Sequence, residues 1–351
     1  MNVLAALDFE AYGANPSPFH PAAGKLRPYP GHQRALRAMR SCLSGSALSQ
    51  KKNSEHRHLQ APLTFRTVAN VIGAAYDGID FCQRQVEIEL NAHQQNPMSL
   101  EMEEDQMISS GHFDMQGVLF FFFLCVVSFF SFFFFLFFFH KQKQTSPFLF
   151  FSSLFFLYFF SHHAALSQAM DIARLVMAPV LTTQIERSIK MLQGRDTDLP
   201  DGLAAFDDDG ASGHGLSEIA WPLVAMGAEA RLLATQPVSS EVGPSGMAEG
   251  IEDRLTMAGL SAERLRRFVA LARRCVSVSI VIACQAIDLR GCRLSERLMV
   301  IHREVRQHVA VMKKGDPPPA SLASVVDALE NGKLLRLVVV EEEEEERRSR
   351  L

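Results

Sequence analysis

The sequence lacks the marks of a secreted or metal-stapled scaffold. Its six cysteines (Cys42, Cys82, Cys125, Cys275, Cys284 and Cys292) are scattered, with no Cys-x-x-Cys pair. That excludes a zinc ribbon or a dithiol redox motif and fits a reducing compartment. Charge of one sign is not in excess: 35 Lys and Arg stand against 39 Asp and Glu, a net charge of −4. Phosphate binding needs a clustered basic surface, so nucleic acid is not expected as a partner. No apolar leader opens the chain, because residues 1–30 are polar and proline-rich, so no secretory signal is read there. Tryptophan occurs once and tyrosine four times. With 48% hydrophobic and 21% charged residues over 351 positions, the composition fits a globular protein of one or two domains.

Against that scarcity of Tyr and Trp stand 27 phenylalanines, twenty of them between Phe120 and Phe160. Residues 119–139 read LFFFFLCVVSFFSFFFFLFFF, without a charge, and a second run, FLFFSSLFFLYFFS, follows at 148–161. By length the first run could span a bilayer, and the second is short for a span. One reading is therefore a membrane anchor or hydrophobic hairpin. The other is a translated intron, since Phe, Ser, Leu and Pro share pyrimidine-rich codons. Natural spans mix Leu, Ile, Val, Ala and Gly, which favours the intron. A membrane is expected as a partner only if this window is genuine.

Elsewhere the pattern is helical. Apolar residues recur near helical spacing at Val71, Ala75, Ile79, Val86 and Leu90, and again from Ala165 through Ile172, Val176, Val180, Ile185 and Ile189 to Leu192. Leu216 to Leu232 and Leu260 to Leu289 are further long apolar-rich segments. Val276 to Ile282 is β-branched enough for a strand, but its place inside a longer periodic stretch predicts a buried helix. Long helices with few strand signals imply an all-α bundle. Linkers are expected at Asn15 to Gly31, at the SALSQKKNSEHRH stretch, at 206-FDDDG-210 and at GDPPPA from Gly315. The tail EEEEEERRSRL reads as a solvated charge run,.

Several local patterns are weak. His56 with His58, or His162 with His163, lack the Cys or carboxylate cluster of a metal site, and Asp207, Asp208 and Asp209 lack calcium-loop spacing,. Ala211-Ser212-Gly213 is a tripeptide of the kind that cyclises into an electrophile in one enzyme family, but its surroundings argue for coincidence.

The informative signal is an ordered series of short strings: 26-LRPYPGH-32, 60-QAPLTFR-66, 87-EIELNAHQQNP-97, 109-SSGHFDMQ-116, 248-AEGIEDRLTMA-258 and 284-CQAIDLRG-291. In this order and spacing they resemble the aromatic amino-acid ammonia-lyases, the histidine/phenylalanine ammonia-lyase family, over residues 7–118 and about 164–335. The resemblance implies an all-α, long-helix bundle as in the ammonia-lyase/fumarase-like helical architecture. It implies a carbon–nitrogen lyase that removes ammonia from a small aromatic amino acid, histidine to urocanate being the first expectation. A phenylalanine or tyrosine lyase or aminomutase on the same scaffold is the alternative. It also implies a cytoplasmic homotetramer and a methylidene-imidazolone electrophile formed from Ala-Ser-Gly. Because 8-DFEAYGANPSPFHP-21 resembles a region well past that triplet and the catalytic tyrosine, the N-terminal part of the family is expected to be missing. The electrophile is then not expected in this chain, and activity of the chain alone is not expected either. A catalytically dead helical oligomerisation protein is the reading from another class.

Residue by residue, Arg66 matches the arginine that grips the substrate carboxylate through a planar fork. Gln60 matches a glutamine near the electrophile and substrate, and Phe113, in GHF for the family's GNF, an aromatic beside the prosthetic ring. Glu252 matches a catalytic glutamate facing the substrate's amine or ring. The sequence departs from the family at Ala61 (usually Asp), Leu63 (often Tyr in histidine-specific members), His112 (Asn) and Gln95 (Asp). The expected organisation is lyase core over 1–118, Phe-rich insertion over 119–163, lyase core over 164–335 and acidic tail over 336–351. The insertion falls inside what the resemblance makes one helix, resumed at Ala164, where a genuine insertion would sit in a loop.

Overall fold

The computed structural model describes residues 1–51, 56, 59–92, 164–204, 215–239, 256–313, 316–334 and 336–337, with the strand backbones Met98–Leu100 and Gln106–Ile108. The architecture is all-α. In chain order the helices are α1 (Asn2–Tyr12), α2 (Pro21–Leu26), α3 (Pro30–Leu43), α4 (Ala47–Gln50), α5 (Leu63–Arg66), α6 (Val68–Leu90), α7 (Ala164–Met191), α8 (Gly194–Thr197), α9 (Ala220–Thr235), α10 (Ala258–Arg290), α11 (Glu296–His308) and α12 (Ala323–Glu330). Two three-residue strands, β1 (Met98–Leu100) and β2 (Gln106–Ile108), pair antiparallel with Met98 opposite Ile108. The expected helices over Val71–Leu90, Ala165–Leu192 and Leu260–Leu289 are present as α6, α7 and α10, and Val276 to Ile282 is helical. The expected Leu216–Leu232 segment opens with a 3₁₀ turn at Ser217–Ile219 before α9.

The chain divides into two compact units. The larger comprises residues 1–79, 174–235 and 267–351. Its innermost element is α1, all eleven of whose residues are buried. The sequence NVLAALDFEAY is apolar on every side except for Asn2, Asp8 and Glu10, as a helix at the centre of a core must be, which corrects the reading of residues 1–30 as polar,. It stops at Gly13, whose φ of 74° is the left-handed geometry of a helix end and whose N–H donates to the Phe9 carbonyl,. Against α1 packs α3, with α2 and α11 alongside. The run from Val278 to Ile287 in α10 supplies the other apolar wall. Ser295 caps α11 by accepting from Leu298 N at 3.3 Å,.

The smaller unit comprises residues 80–173 and 236–266. In it Cys82 donates to the Ala169 carbonyl at 3.0 Å. The Asp171 carboxylate accepts from Ser239 N at 2.9 Å and from the Ser261 hydroxyl at 2.6 Å.

The linker expected over Asn15 to Gly31 is corrected by the structure. Ser17–Phe19 forms a 3₁₀ turn, Pro21–Leu26 is α2, and Pro30-Gly31 opens α3. The prolines sit at the first helical position, where the missing N–H costs nothing and the fixed φ suits the helix, so here they start helices. At α2 the His20 side chain accepts from Ala22 N at 3.2 Å. The SALSQ stretch is likewise partly helical, as α4, with Ser46 as its cap. His58, His162, His163, the 206–210 loop, the 211–213 triplet, the Phe-rich window over 119–163 and the tail from 338 onward lie outside the described residues.

Candidate functional site

Helix α5 is only four residues long and too short to be stable alone, so its position is imposed by what it touches,. Phe65 is fully buried beneath it. Its ring lies 5.5 Å from Phe9 at 71° and 4.4 Å from Tyr12, while Phe9 stacks 4.8 Å from Phe19. Aromatic pairs of this kind contribute about 0.5–1.5 kcal/mol each beyond their buried area. The same cluster therefore fixes both α5 and the stretch after α1.

Above this cluster lies a pocket of about 320 Å³, walled by Asn15, Ser17 and Pro18 on one side and by Leu59, Gln60, Ala61 and Arg66 on the other. The two walls are tied together. Asn15 donates to the Leu59 carbonyl at 3.3 Å and accepts from Ser17 N at 2.9 Å. Arg66, half-buried on the last turn of α5, donates from Nε to the Ala61 carbonyl at 2.8 Å. That bond fixes the plane of the guanidinium, and among the described residues no carboxylate pairs with Arg66. Its two terminal nitrogens are left as a fork for an anion. A surface ion pair, the commonest use of an exposed arginine, is not what the geometry shows.

Gln60 and Arg66 are thus brought to one pocket, as the sequence strings imply. Phe113 and Glu252 lie outside the described residues. Sequence reasoning missed Asn15, which stands 44 positions from the Leu59 it bonds, and Ser17 beside it. It also missed a buried polar group behind α5. Arg187, 1% exposed on α7, donates to Asp8 at 2.8 Å and to the Thr64 carbonyl at 3.0 Å, and Gln184 donates to the same Asp8 oxygen at 2.8 Å. The only signal for it in the sequence is the presence of two carboxylates, Asp8 and Glu10, in a mostly apolar helix. Burial pushes the Asp8 carboxyl up to about 6, against the pull of the Arg187 charge and hydrogen bonds,. Glu10, also buried, rises to about 7 for the same reason, opposed by hydrogen bonds from Ser46 and the Leu48 backbone.

Fold and pocket together describe an all-α protein with a cationic pocket at the end of a very short helix. The family model described as aromatic amino acid lyase matches residues 1–121 and 160–307. The chain belongs to the aromatic amino acid lyase family. It is similar to histidine ammonia-lyase 1 of Fusobacterium nucleatum, 23% identical over 341 residues covering 96% of this chain and 55% of the relative. Among solved structures it resembles histidine ammonia-lyase from Trypanosoma cruzi (TM-score 0.71, 19% identity, 96% of this chain and 53% of that one). It also resembles a tyrosine aminomutase from Streptomyces globisporus (TM-score 0.73, 22% identity, 97% and 58%). At these identities the structures speak for the fold. The chain spans about half the length of the curated relatives it matches.

Proposed function

We propose that this chain is part of an ammonia-lyase that eliminates ammonia from an aromatic amino acid, histidine to urocanate in the first instance. The observation that carries this is Arg66: anchored through Nε, with a free fork, on the wall of a pocket that also presents Gln60 and the exposed side chain of Leu59. A carboxylate on the fork and an aromatic ring against the apolar rim is an arrangement that suits an aromatic amino acid. The name of the Fusobacterium relative supports histidine. Leu63, where tyrosine is expected for histidine, favours the second reading, a phenylalanine or tyrosine lyase or aminomutase.

The family's methylidene-imidazolone supplies an electrophile that activates the amine as a leaving group. The Ala211-Ser212-Gly213 triplet lies outside the described residues. Within this chain Arg66 binds and orients the carboxylate, and Gln60 offers an amide to the substrate. Glu252 and Phe113 are proposed for the proton or amine and for the ring. We further propose a cytoplasmic homotetramer, and the organisation 1–118, 119–163, 164–335 and 336–351 set out above. The family match stops at 121 and resumes at 160, which supports reading the Phe-rich window as a retained intron.

Two measurements test this. Binding of urocanate and of cinnamate to the chain should weaken at least about tenfold on Arg66→Ala, since hydrogen bonds to charged groups contribute about 1.5–3 kcal/mol each. Equal binding by both proteins would remove Arg66 from the site. Sequencing of cDNA across 118–164 should show the window spliced out, and its retention in most transcripts would refute the intron.

A further inference from the structure

We propose that Arg187 and Asp8 are positioning residues for the Arg66 site: held by Asp8, the Arg187 guanidinium fixes the Thr64 carbonyl and with it the orientation in which α5 presents Arg66 to the pocket. The inference rests on the reading of Arg66 as the carboxylate-binding residue and adds what holds it in place.

Three acceptors surround the Arg187 guanidinium, each on a different nitrogen. Nε donates to Asp8 Oδ2 at 2.8 Å, Nη1 to the Thr64 carbonyl at 3.0 Å, and Nη2 to Gln184 Oε1 at 2.5 Å. Only a planar, multi-donor fork serves three fixed acceptors at once, and a lysine ammonium in the same place would have to choose among them. Thr64 lies two residues before Arg66, inside the single turn of α5, which breaks from α6 at Thr67. There the Thr67 N–H returns to the Leu63 carbonyl, and the Arg66 N–H to that of Pro62. The Thr64 carbonyl instead takes a donor from a helix more than a hundred residues away. Since α5 is a single turn, that bond and the Phe65 ring are what orient it.

Asp8 sets the direction of the guanidinium. Its Oδ2 receives both Arg187 and Gln184, while Oδ1 has no partner. A buried carboxylate so placed is needed to balance the arginine but is itself poorly satisfied. The groups that face it are Arg187 and Gln184 from α7 and the Cys284 thiol from α10, whose own proton the Asp8 charge helps to retain. With the Asp8 carboxyl raised to about 6 by burial, mild acidification removes the Arg187 counter-charge, and the effect should reach Arg66 through Thr64.

The test uses the full chain labelled with ¹⁵N-arginine and follows the Arg66 Nε–H resonance, the proton bonded to the Ala61 carbonyl. In the parent this resonance should move with a midpoint near 6. In Asp8→Asn that movement should vanish, and in Arg187→Lys and Arg187→Gln the Nε–H should exchange with solvent at least tenfold faster. Arg290→Lys is the control: it weakens a different, half-buried arginine, one that holds the Ala11 and Thr197 carbonyls, and should leave the Arg66 signal unmoved. The proposal is overturned if the Arg187 and Asp8 variants keep the parent resonance and exchange rate, or if Arg290→Lys changes them as much. Should Arg187→Gln fail to fold, Arg187→Lys and Asp8→Asn decide. The carboxylate-binding reading is judged separately by urocanate binding to Arg66→Ala. Unchanged binding there removes that reading and leaves the resonance data to judge the positioning.

Discussion

Replacing Gly73 with alanine sets two physical effects against each other. Gly73 lies inside α6, where alanine is the better helix former by about 1 kcal/mol,. Considered as an isolated helix, the change should stabilise. In the structure a Cβ at Gly73 would lie 2.5 Å from His32 Cα and 2.6 Å from His32 N, and one at Gly31 would lie 2.1 Å from the Gly73 carbonyl oxygen. All of these are backbone atoms, so no side chain can swing aside. The contact is also where Asp77 of α6 caps α3, accepting the Gly31 N–H at 2.7 Å on a helix whose own cap residue, Tyr29, supplies none. Overpacking costs about 1–3 kcal/mol and a lost cap about 1 kcal/mol, so after the gain in propensity the net is about 1–3 kcal/mol of destabilisation. For a unit of this size that is a fall in Tm of roughly 3–10 °C. Thermal unfolding followed by far-ultraviolet circular dichroism reads it directly. A Tm equal to or above the parent's would show that α3 and α6 do not cross backbone to backbone, and with it would go the placement of α6 directly behind α5.

Buried Glu10 and half-buried Arg290 have consequences for stability. Glu10 has a folded-state pKa of about 7 against an ordinary 4.5. The stability it contributes is fully present below about 4.5 and lost as pH rises through 7, an effect of about 3 kcal/mol. Glu10→Gln should therefore flatten the fall in denaturant-unfolding stability between pH 5 and pH 8, and an unchanged slope would refute it. Arg290 donates to two backbone carbonyls, those of Ala11 and Thr197, each at 2.8 Å. Arg290→Ala should cost about 3 kcal/mol by the same measurement, since charged hydrogen bonds contribute about 1.5–3 kcal/mol each. A loss under 1 kcal/mol would mean water replaces the guanidinium freely.

The long helices were legible because their apolar stripes are long: α6, α7 and α10 each repeat the helical period over many turns, long enough to outweigh the β-branched run at Val276. The helical start was not legible. Pro21 and Pro30 carry the chemistry of a breaker when counted and of a helix start when placed, and only the fold places them. Of the candidate site, Gln60 and Arg66 are proposed only through the order of the strings around them, since singly neither differs from a surface residue. Asp8 and Arg187 had no such help, because partners 179 positions apart leave no local pattern and an ion pair is written into the sequence only as two unexplained charges.

The central claim is that this chain carries the carboxylate grip of an aromatic amino acid ammonia-lyase. It is tested by joining the chain, with residues 119–163 removed, to the part of Fusobacterium nucleatum histidine ammonia-lyase 1 that precedes the matched region. Formation of a conjugated product from histidine, phenylalanine and tyrosine is then followed by its ultraviolet absorbance. Turnover of one aromatic amino acid above the others is expected, histidine first, with kcat/KM falling roughly tenfold to a hundredfold in Arg66→Ala. A chimera with native helical content that turns over none of the three, or whose kcat/KM stays within twofold of the parent in Arg66→Ala, would contradict it.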